Sequence, residues 1–311
     1  MTFAAALALA LALDAMIGWP DGLYRRIGHP VTWIGALVSA LEMRWNCGTP
    51  NRRKAMGVAC VVVVLVPTMV PALVLQWVLP GSVLGVVFGA ILAWPWIAAR
   101  SLYDHIAAVM HPLAGGDLST ARKAVSMIVG RDPSKLDEPG IARAATESLA
   151  ENTSDGVIAP LIWGLVGGLC GLVAYKAINT LDSMIGHRDA RYEDFGKAAA
   201  RLDDLVNLVP ARLTGLVFGI VSRQPATSFQ TMIRDAPKHR SPNAGWPEGA
   251  MAGALNVRLS GPRVYGDRIA DEPWVNTGAP DPDAGALRCA LALYVRAVVL
   301  CGAGLLALAM I

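Results

Sequence analysis

Apolar and polar residues follow each other along this chain in long blocks, not at the short periods of a soluble fold. Four blocks stay apolar for about the length of a bilayer crossing: Met1–Gly18, Ala55–Leu79, Val83–Tyr103 and Cys289–Ile311. Helix rises about 1.5 Å per residue, so roughly twenty apolar residues cover the hydrocarbon layer. Pro67 and Pro71 interrupt the second block, which membrane helices tolerate when neighbours take up the freed carbonyls. Pro80-Gly81-Ser82 is a tight, uncharged turn that predicts a hairpin of the second and third blocks. Arg296 in the last block is an intramembrane charge facing protein or water, or snorkelling.

Charge placement orients these blocks. Arg25, Arg26, Arg44, Arg52, Arg53 and Lys54 follow the first, and Arg100, Arg122, Lys123, Arg131, Lys135 and Arg143 follow the third. The turn at Pro80 carries no cation, so the positive-inside rule points both termini outward and the long polar segments to the cytoplasm. A fifth apolar run, Gly156–Ala174, conflicts with this scheme. Crossing once, it would put Glu151 and Asp182 on opposite faces of the membrane. Its break at Gly164-Leu165-Val166-Gly167-Gly168 predicts a re-entrant hairpin or buried helix pair that returns both ends inside.

Between these blocks, Asp117–Gly130 reads as a short amphipathic helix stopped by Gly130, and Pro139 opens a helix carrying Ile141 to Asn152. Leu213–Val221 is too short to span and is expected to pack from the cytoplasmic side. Ser241–Pro247 reads as loop and Asp271–Pro282 as a polar linker. The expected fold class is all-α: a polytopic integral membrane helical bundle with cytoplasmic amphipathic helices and loops. It forms one membrane domain over 1–311, with 104–155 and 175–285 mainly cytoplasmic and carrying the site.

Composition supports that class. Of 311 residues, 54% are hydrophobic and 16% charged, with mean hydropathy +0.45; average soluble domains carry ~25% charged residues. A formal charge of +3 with scattered cations gives no nucleic-acid footprint. The five cysteines form no CxxC pair and read as reduced packing residues. A cleaved leader would also be short and apolar, but Thr2–Leu13 follows no basic stretch, which favours an uncleaved first helix. There is no GxxxxGK[ST], GxGxxG after a strand, GxSxG or HExxH.

Candidate chemistry gathers between Glu147 and Arg212, where polar groups sit inside or beside oily segments. Burying them without partners costs several kcal/mol for a charge. Glu147, Glu151 and Asp155 are four apart, so a helix would stack them on one face with Ser148 and Asn152 beside them. That face is either solvated or in need of a cation. Asn179, Asp182 and Ser183, with Lys176 a turn earlier, make a second polar face that suits Mg²⁺ or interhelical hydrogen bonding. Asp203, Asp204 and Asn207 form a DDxxN arrangement, readable as a Mg²⁺-diphosphate site or as acids offsetting a helix N-terminus. Arg188, Arg191, Lys197, Arg201 and Arg212 are phosphate clamps or positive-inside anchors. The histidines have no second ligand at metal spacing; surface or capping roles fit them, with His29 kept as a weak site candidate. Trp246 in its Pro-flanked stretch could stack on a planar ligand or anchor at the interface.

Five stretches carry a resemblance: ENTSDGVIAPL (Glu151–Leu161), YKAINTLDSMIG (Tyr175–Gly186), RYEDFG (Arg191–Gly196), ARLDDLVNLVPARL (Ala200–Leu213) and SPNAGWPEGAMAGAL (Ser241–Leu255). With LDAMIGWP (Leu13–Pro20) and GHPVTWIG (Gly28–Gly35), they resemble the CobD/CbiB family of cobalamin biosynthesis, the membrane-bound adenosylcobinamide-phosphate synthases. The resemblance implies an ATP-dependent amide ligase joining adenosylcobyric acid to aminopropanol phosphate or a similar amino-alcohol phosphate. It places the chain in the inner membrane, beside other membrane enzymes of late cobalamin assembly, with its active site facing the cytoplasm.

On that footing we expect Mg²⁺ to be held by Glu147, Glu151, Asp182, Asp203 and Asp204, with Glu151, Asp155 and Asp182 catalytic and Asp155 the base. Asn152, Ser154, Asn179, Asn207, Asn243 and Trp246 would orient substrates. Lys176, Arg188, Arg191, Arg201 and Arg212 would hold phosphates. The competing expectation is a transporter of a charged metabolite, since carriers also use broken apolar segments with buried charge.

Overall fold

In the computed structural model, residues 3–129, 133–134, 136–265, 268–270 and 272–311 are described. The helices are α1 (Phe3–Ile17), α2 (Asp21–Ile27), α3 (Pro30–Trp45), α4 (Pro50–Val78), α5 (Val83–Ala93), α6 (Ala99–Ala114) and α7 (Leu118–Val125). They continue with α8 (Glu138–Thr153), α9 (Ala159–Ile185), α10 (Lys197–Val206), α11 (Leu208–Val221), α12 (Pro225–Asp235), α13 (Gly245–Leu255) and α14 (Ala284–Ala309). Two small antiparallel ribbons interrupt the otherwise helical chain. One pairs β1 (Leu259–Ser260) with β4 (Trp274–Val275), the other β2 (Arg263–Tyr265) with β3 (Arg268–Ala270).

Four helical stretches are long and apolar enough to cross a membrane: Pro50–Val78, Val83–Ala114, Glu138–Ile185 and Ala284–Ala309. The number reaches six if α1 with α2–α3, and α10 with α11, each count as one bent span. Among the described residues α1 has 15 and qualifies only together with the helices after it; Gly18 takes a left-handed φ of 63° before Trp19-Pro20. The second and third blocks do follow each other through the turn at Pro80.

The chain divides into two compact units. The first holds residues 1–98, 159–207 and 302–311. Its core is built by α3, α4, α9 and α10, where Val38, Cys60, Val64, Leu181 and Phe195 are buried. The break expected in the fifth apolar run lies at Gly168, whose φ of 62° and ψ of −147° no side chain adopts cheaply. There the chain folds back on itself: a Cβ on Gly171 would stand 2.3 Å from the carbonyl oxygen of Trp163. Gln76 of α4 caps the turn, its Oε1 accepting from the Cys170 amide at 3.0 Å.

The second unit holds residues 99–158 and 208–301. Asp117 caps α7 by accepting from the Thr120 amide, and α8 starts at Glu138-Pro139 with Asp137 as its cap. The expected stop, Gly130, lies outside the described residues. After α8 the backbone widens into a π-turn over Ser154–Ile158. Helices α11, α12 and α13 form a tight trio, where the buried Ser228 hydroxyl donates to the Ala250 carbonyl at 2.7 Å. Ser241–Ala244 is a turn as expected, but Trp246 and Pro247 belong to the first turn of α13.

Candidate active site

Two polar clusters emerge, one in each unit. The first lies between the end of α9 and α10. Helical spacing brings Lys176, Asn179 and Asp182 to one face of α9, and Lys176 Nζ donates to Asn179 Oδ1 at 3.2 Å. Asp203 is buried, with Asn179 and the Asp182 carboxylate as neighbours. Asn207 Nδ2 donates to Asp203 Oδ2 at 2.9 Å, and the buried Tyr175 hydroxyl donates to Asn207 Oδ1 at 2.9 Å. Asp203 Oδ1 is buried and makes no hydrogen bond. Asp204 is half-buried within electrostatic reach of Arg188.

Position along the helix bears on the reading of the aspartate pair as acids offsetting a helix N-terminus. Asp203 and Asp204 occupy the last turn of α10, which ends at Val206. Acids there face the negative end of the helix dipole, the reverse of a stabilising N-terminal placement. A buried carboxylate opposed by Asp182, by the dipole and by desolvation needs a cation or a proton. One or two carboxylates with carboxamides beside them are the donor set Mg²⁺ uses when phosphate oxygens and water complete its octahedron. Among the described residues no group of three or more His, Cys, Asp or Glu side chains could hold an ion, so a bound ion would draw further ligands from its substrate. Asp182, Asp203 and Asn179 fit that requirement.

The remaining cations of this unit lie differently. Arg191 is locked to Glu42 of α3, Nε donating to Oε1 and Nη2 to Oε2, each at 2.9 Å. Arg53 bonds the Arg191 carbonyl and, with Lys54, pairs with Asp194. The stretch after α9 is thereby pinned to α3 and α4. Arg201 is exposed. His29 caps α3 within electrostatic reach of Lys176.

The second cluster begins on α8. Glu147 is buried and its Oε1 accepts from the Ser260 amide at 2.7 Å. Asn152 Nδ2 donates to the Ser148 carbonyl at 2.9 Å, and the Ser148 hydroxyl donates to the Ile128 carbonyl. Glu151 and Asn152 are exposed, Asp155 is half-buried and Ser154 is buried with no hydrogen bond to its hydroxyl. The expected stack of Glu147, Glu151 and Asp155 is not kept as drawn, because the π-turn shifts Asp155 out of α-helical register.

Farther along, the Arg212 guanidinium lies 4.5 Å from the centroid of the Trp246 ring. Asn243 is buried beside the start of α13. His239, expected in a surface or capping role, has a buried side chain, its Nδ1 accepting from the Ser241 amide at 3.0 Å and its Nε2 3.7 Å from Glu248 Oε2. Sequence reasoning missed Glu248, yet a signal was present: a lone acid in the small-residue run Gly245–Leu255. A second missed group is the clasp of Asp281, which takes Arg258 Nε and Nη2 at 2.9 and 2.6 Å and also binds Arg143. Both arginines stack on Trp274, 4.6 and 4.3 Å from its centroid.

A family model described as CobD/Cbib protein matches residues 7–294. This chain belongs to that family. It is 61% identical over 298 residues to the cobalamin biosynthesis protein CobD of Rhodobacter capsulatus, covering 96% of this chain and 95% of the relative. The CobD protein of Brucella suis is 45% identical over 302 residues, covering 93% and 91%. That of Rhizobium meliloti is 47% identical over 279 residues, covering 87% and 85%. No solved structure matches the chain. The match spans both units, so each polar cluster falls within the family's shared length.

Proposed function

We propose that this chain is a membrane enzyme of cobalamin biosynthesis, an ATP-dependent amide ligase that joins adenosylcobyric acid to aminopropanol phosphate or a close amino-alcohol phosphate. The observation that carries the reading is near full-length identity to CobD relatives, whose names assign them to cobalamin biosynthesis. The residues supply matching chemistry. A free carboxylate and an ammonium do not condense unaided in water, so the carboxylate must be activated. Its oxygen attacks the γ-phosphorus of ATP, ADP leaves, and an acyl phosphate forms. The amine then attacks the acyl carbon, phosphate departs, and a base takes the amine proton.

In this scheme Asp182 and Asp203 would hold Mg²⁺, with Asp204 beside them as a further candidate. When bound, the ion would offset charge on the phosphates. Lys176, Arg188, Arg201 and Arg212 bind phosphate oxygens, and Arg191, already engaged by Glu42, fixes the loop that presents Arg188. Asn152, Ser154, Asn179, Asn207 and Asn243 orient the substrates, Trp246 stacks against the substrate with Arg212 on its ring, and Asp155 takes the amine proton. Apolar segments around the site shelter the acyl phosphate from water. The site faces the cytoplasm, where ATP is found, as the distribution of cations implies.

The test is direct. Purified protein receives adenosylcobyric acid, Mg²⁺, ATP and each candidate amino-alcohol phosphate, and products are read by mass spectrometry. Adenosylcobinamide phosphate formed with stoichiometric ADP supports the ligase. Uptake of substrate into proteoliposomes without ADP or amide product would replace it with the transporter.

A further inference from the structure

A cavity in the first unit is lined by none of the residues of the polar cluster described there. Its volume is about 490 Å³, and it opens among α3, α4, the turn at Trp94–Trp96 and α9, lined by Trp33, Pro67, Pro71, Trp96, Leu169 and Val173 among others. Its size lies within the roughly 300–1,000 Å³ of small-molecule pockets. No ionisable side chain lines it. Its one hydroxyl, Thr68 Oγ1, is turned back onto its own helix, 2.9 Å from the Val64 and Leu65 carbonyls.

The sequence explains why this space exists. Pro67 and Pro71 remove two helical donors from α4 and prevent it from packing closely along its length. Opposite them, α9 turns at Gly168, directly before the lining residue Leu169. The lining stretch of α4 belongs to a 29-residue segment long and apolar enough to cross a membrane.

At its mouth the chemistry changes. Trp33 is 56% exposed and its Nε1 donates to the Ile27 carbonyl at 2.9 Å, which ties the cavity to the end of α2. That last turn carries Arg25 and Arg26, both exposed, beside exposed Tyr24 and Ile27. Neither arginine makes an ion pair among the described residues. Two aromatic residues, two cations and an apolar slot beneath them match the order of a lipid from headgroup to tail.

We propose that this cavity binds one anionic glycerophospholipid, with an acyl chain in the slot and the headgroup phosphate on Arg25 and Arg26. Charge complementarity selects the anionic lipid, and the apolar lining selects an acyl chain over a polar ligand. The site is independent of the ligase assignment, since it needs neither ATP nor a corrinoid.

Native mass spectrometry of the full chain tests this. Protein released from detergent is titrated with dioleoylphosphatidylglycerol and, separately, dioleoylphosphatidylcholine. Wild type is expected to retain one phosphatidylglycerol preferentially. The double variant Arg25→Gln, Arg26→Gln should lose that preference, by up to about thirtyfold if each cation contributes about 1 kcal/mol. Leu75→Trp, which fills the slot from an exposed position, should reduce retention of both lipids while the melting temperature stays near that of wild type. Equal retention of the two lipids by wild type would overturn the proposal. So would phosphatidylglycerol retention indifferent to both variants.

Discussion

The two acidic stretches of this chain look alike in sequence and end up in opposite conditions. On α8, Glu147 is buried but answered: a backbone amide from β1 donates to it. On α10, Asp203 is equally buried, yet one oxygen makes no hydrogen bond and its neighbour is another carboxylate, Asp182. Buried charge with a full set of donors is architecture, whereas buried charge facing like charge is held against its own stability. The α10 cluster is therefore where a cation and phosphates have most to gain, and α8 offers mainly its exposed Glu151.

The sharpest way to break this contrast is to remove each acid in turn. Asp182→Ala and Asp203→Asn should each lower ligase turnover by at least about a hundredfold, the scale of losing an electrostatic group at the reacting centre. Asp203→Asn should also raise the melting temperature, since it removes like-charge repulsion but can still hydrogen-bond to Asn207. A fall in melting temperature with turnover intact would make Asp203 a structural residue and move the site to α8. Glu147→Ala should behave in the opposite way. It leaves the Ser260 amide buried without an acceptor, at about 1–3 kcal/mol, and thermal unfolding should show that loss.

Much of this was legible in the residues. The apolar blocks announced spans, and Gly164–Gly168 announced a break that the structure puts at Gly168. The helical spacing of Asn179 and Asp182 and the pairing of Asp203 with Asn207 are local, so a 3.6-residue period sufficed to group them. What periodicity could not give was satisfaction. Nothing near Glu147 in sequence says that an amide 113 residues later reaches it. Likewise, Arg191 reads as a phosphate clamp until Glu42, 149 residues away, is seen to grip it. The π-turn after α8 was also hidden, because one residue of extra winding leaves no compositional mark. Asp281, read as part of a polar linker, turned out to bind two arginines for the same reason.

A smaller effect follows from the acids that are well answered. Asp281 is held at about 2 by the Arg258 guanidinium first and Arg143 next. For Asp235, burial pushes upward, but Arg234, Lys238 and the Asn276 amide outweigh it and also hold the group at about 2. Both folded values lie below the ordinary 3.8. Their contribution is present above about pH 4 and is lost as pH falls from there towards 2. Melting temperatures of wild type and Asp281→Asn, measured from pH 7 to pH 3, should differ most at neutral pH and draw closer towards the acid end. Parallel curves would mean that the clasp on Trp274 contributes nothing to stability.

The smallest expected effect separates positioning from binding at Arg191. Its guanidinium is 63% exposed although the Glu42 carboxylate it grips is only 8% exposed. An exposed cation contributes little as an ion pair. Glu42, however, keeps only the Asn46 amide when Arg191 is removed. Arg191→Ala should therefore lower the melting temperature slightly, and Arg191→Ala with Glu42→Gln should restore most of it, since the second change removes the stranded charge. If Arg191 acts only by holding the loop that carries Arg188, the double variant should recover turnover together with stability. Recovery of stability without turnover would show that the guanidinium itself meets a phosphate.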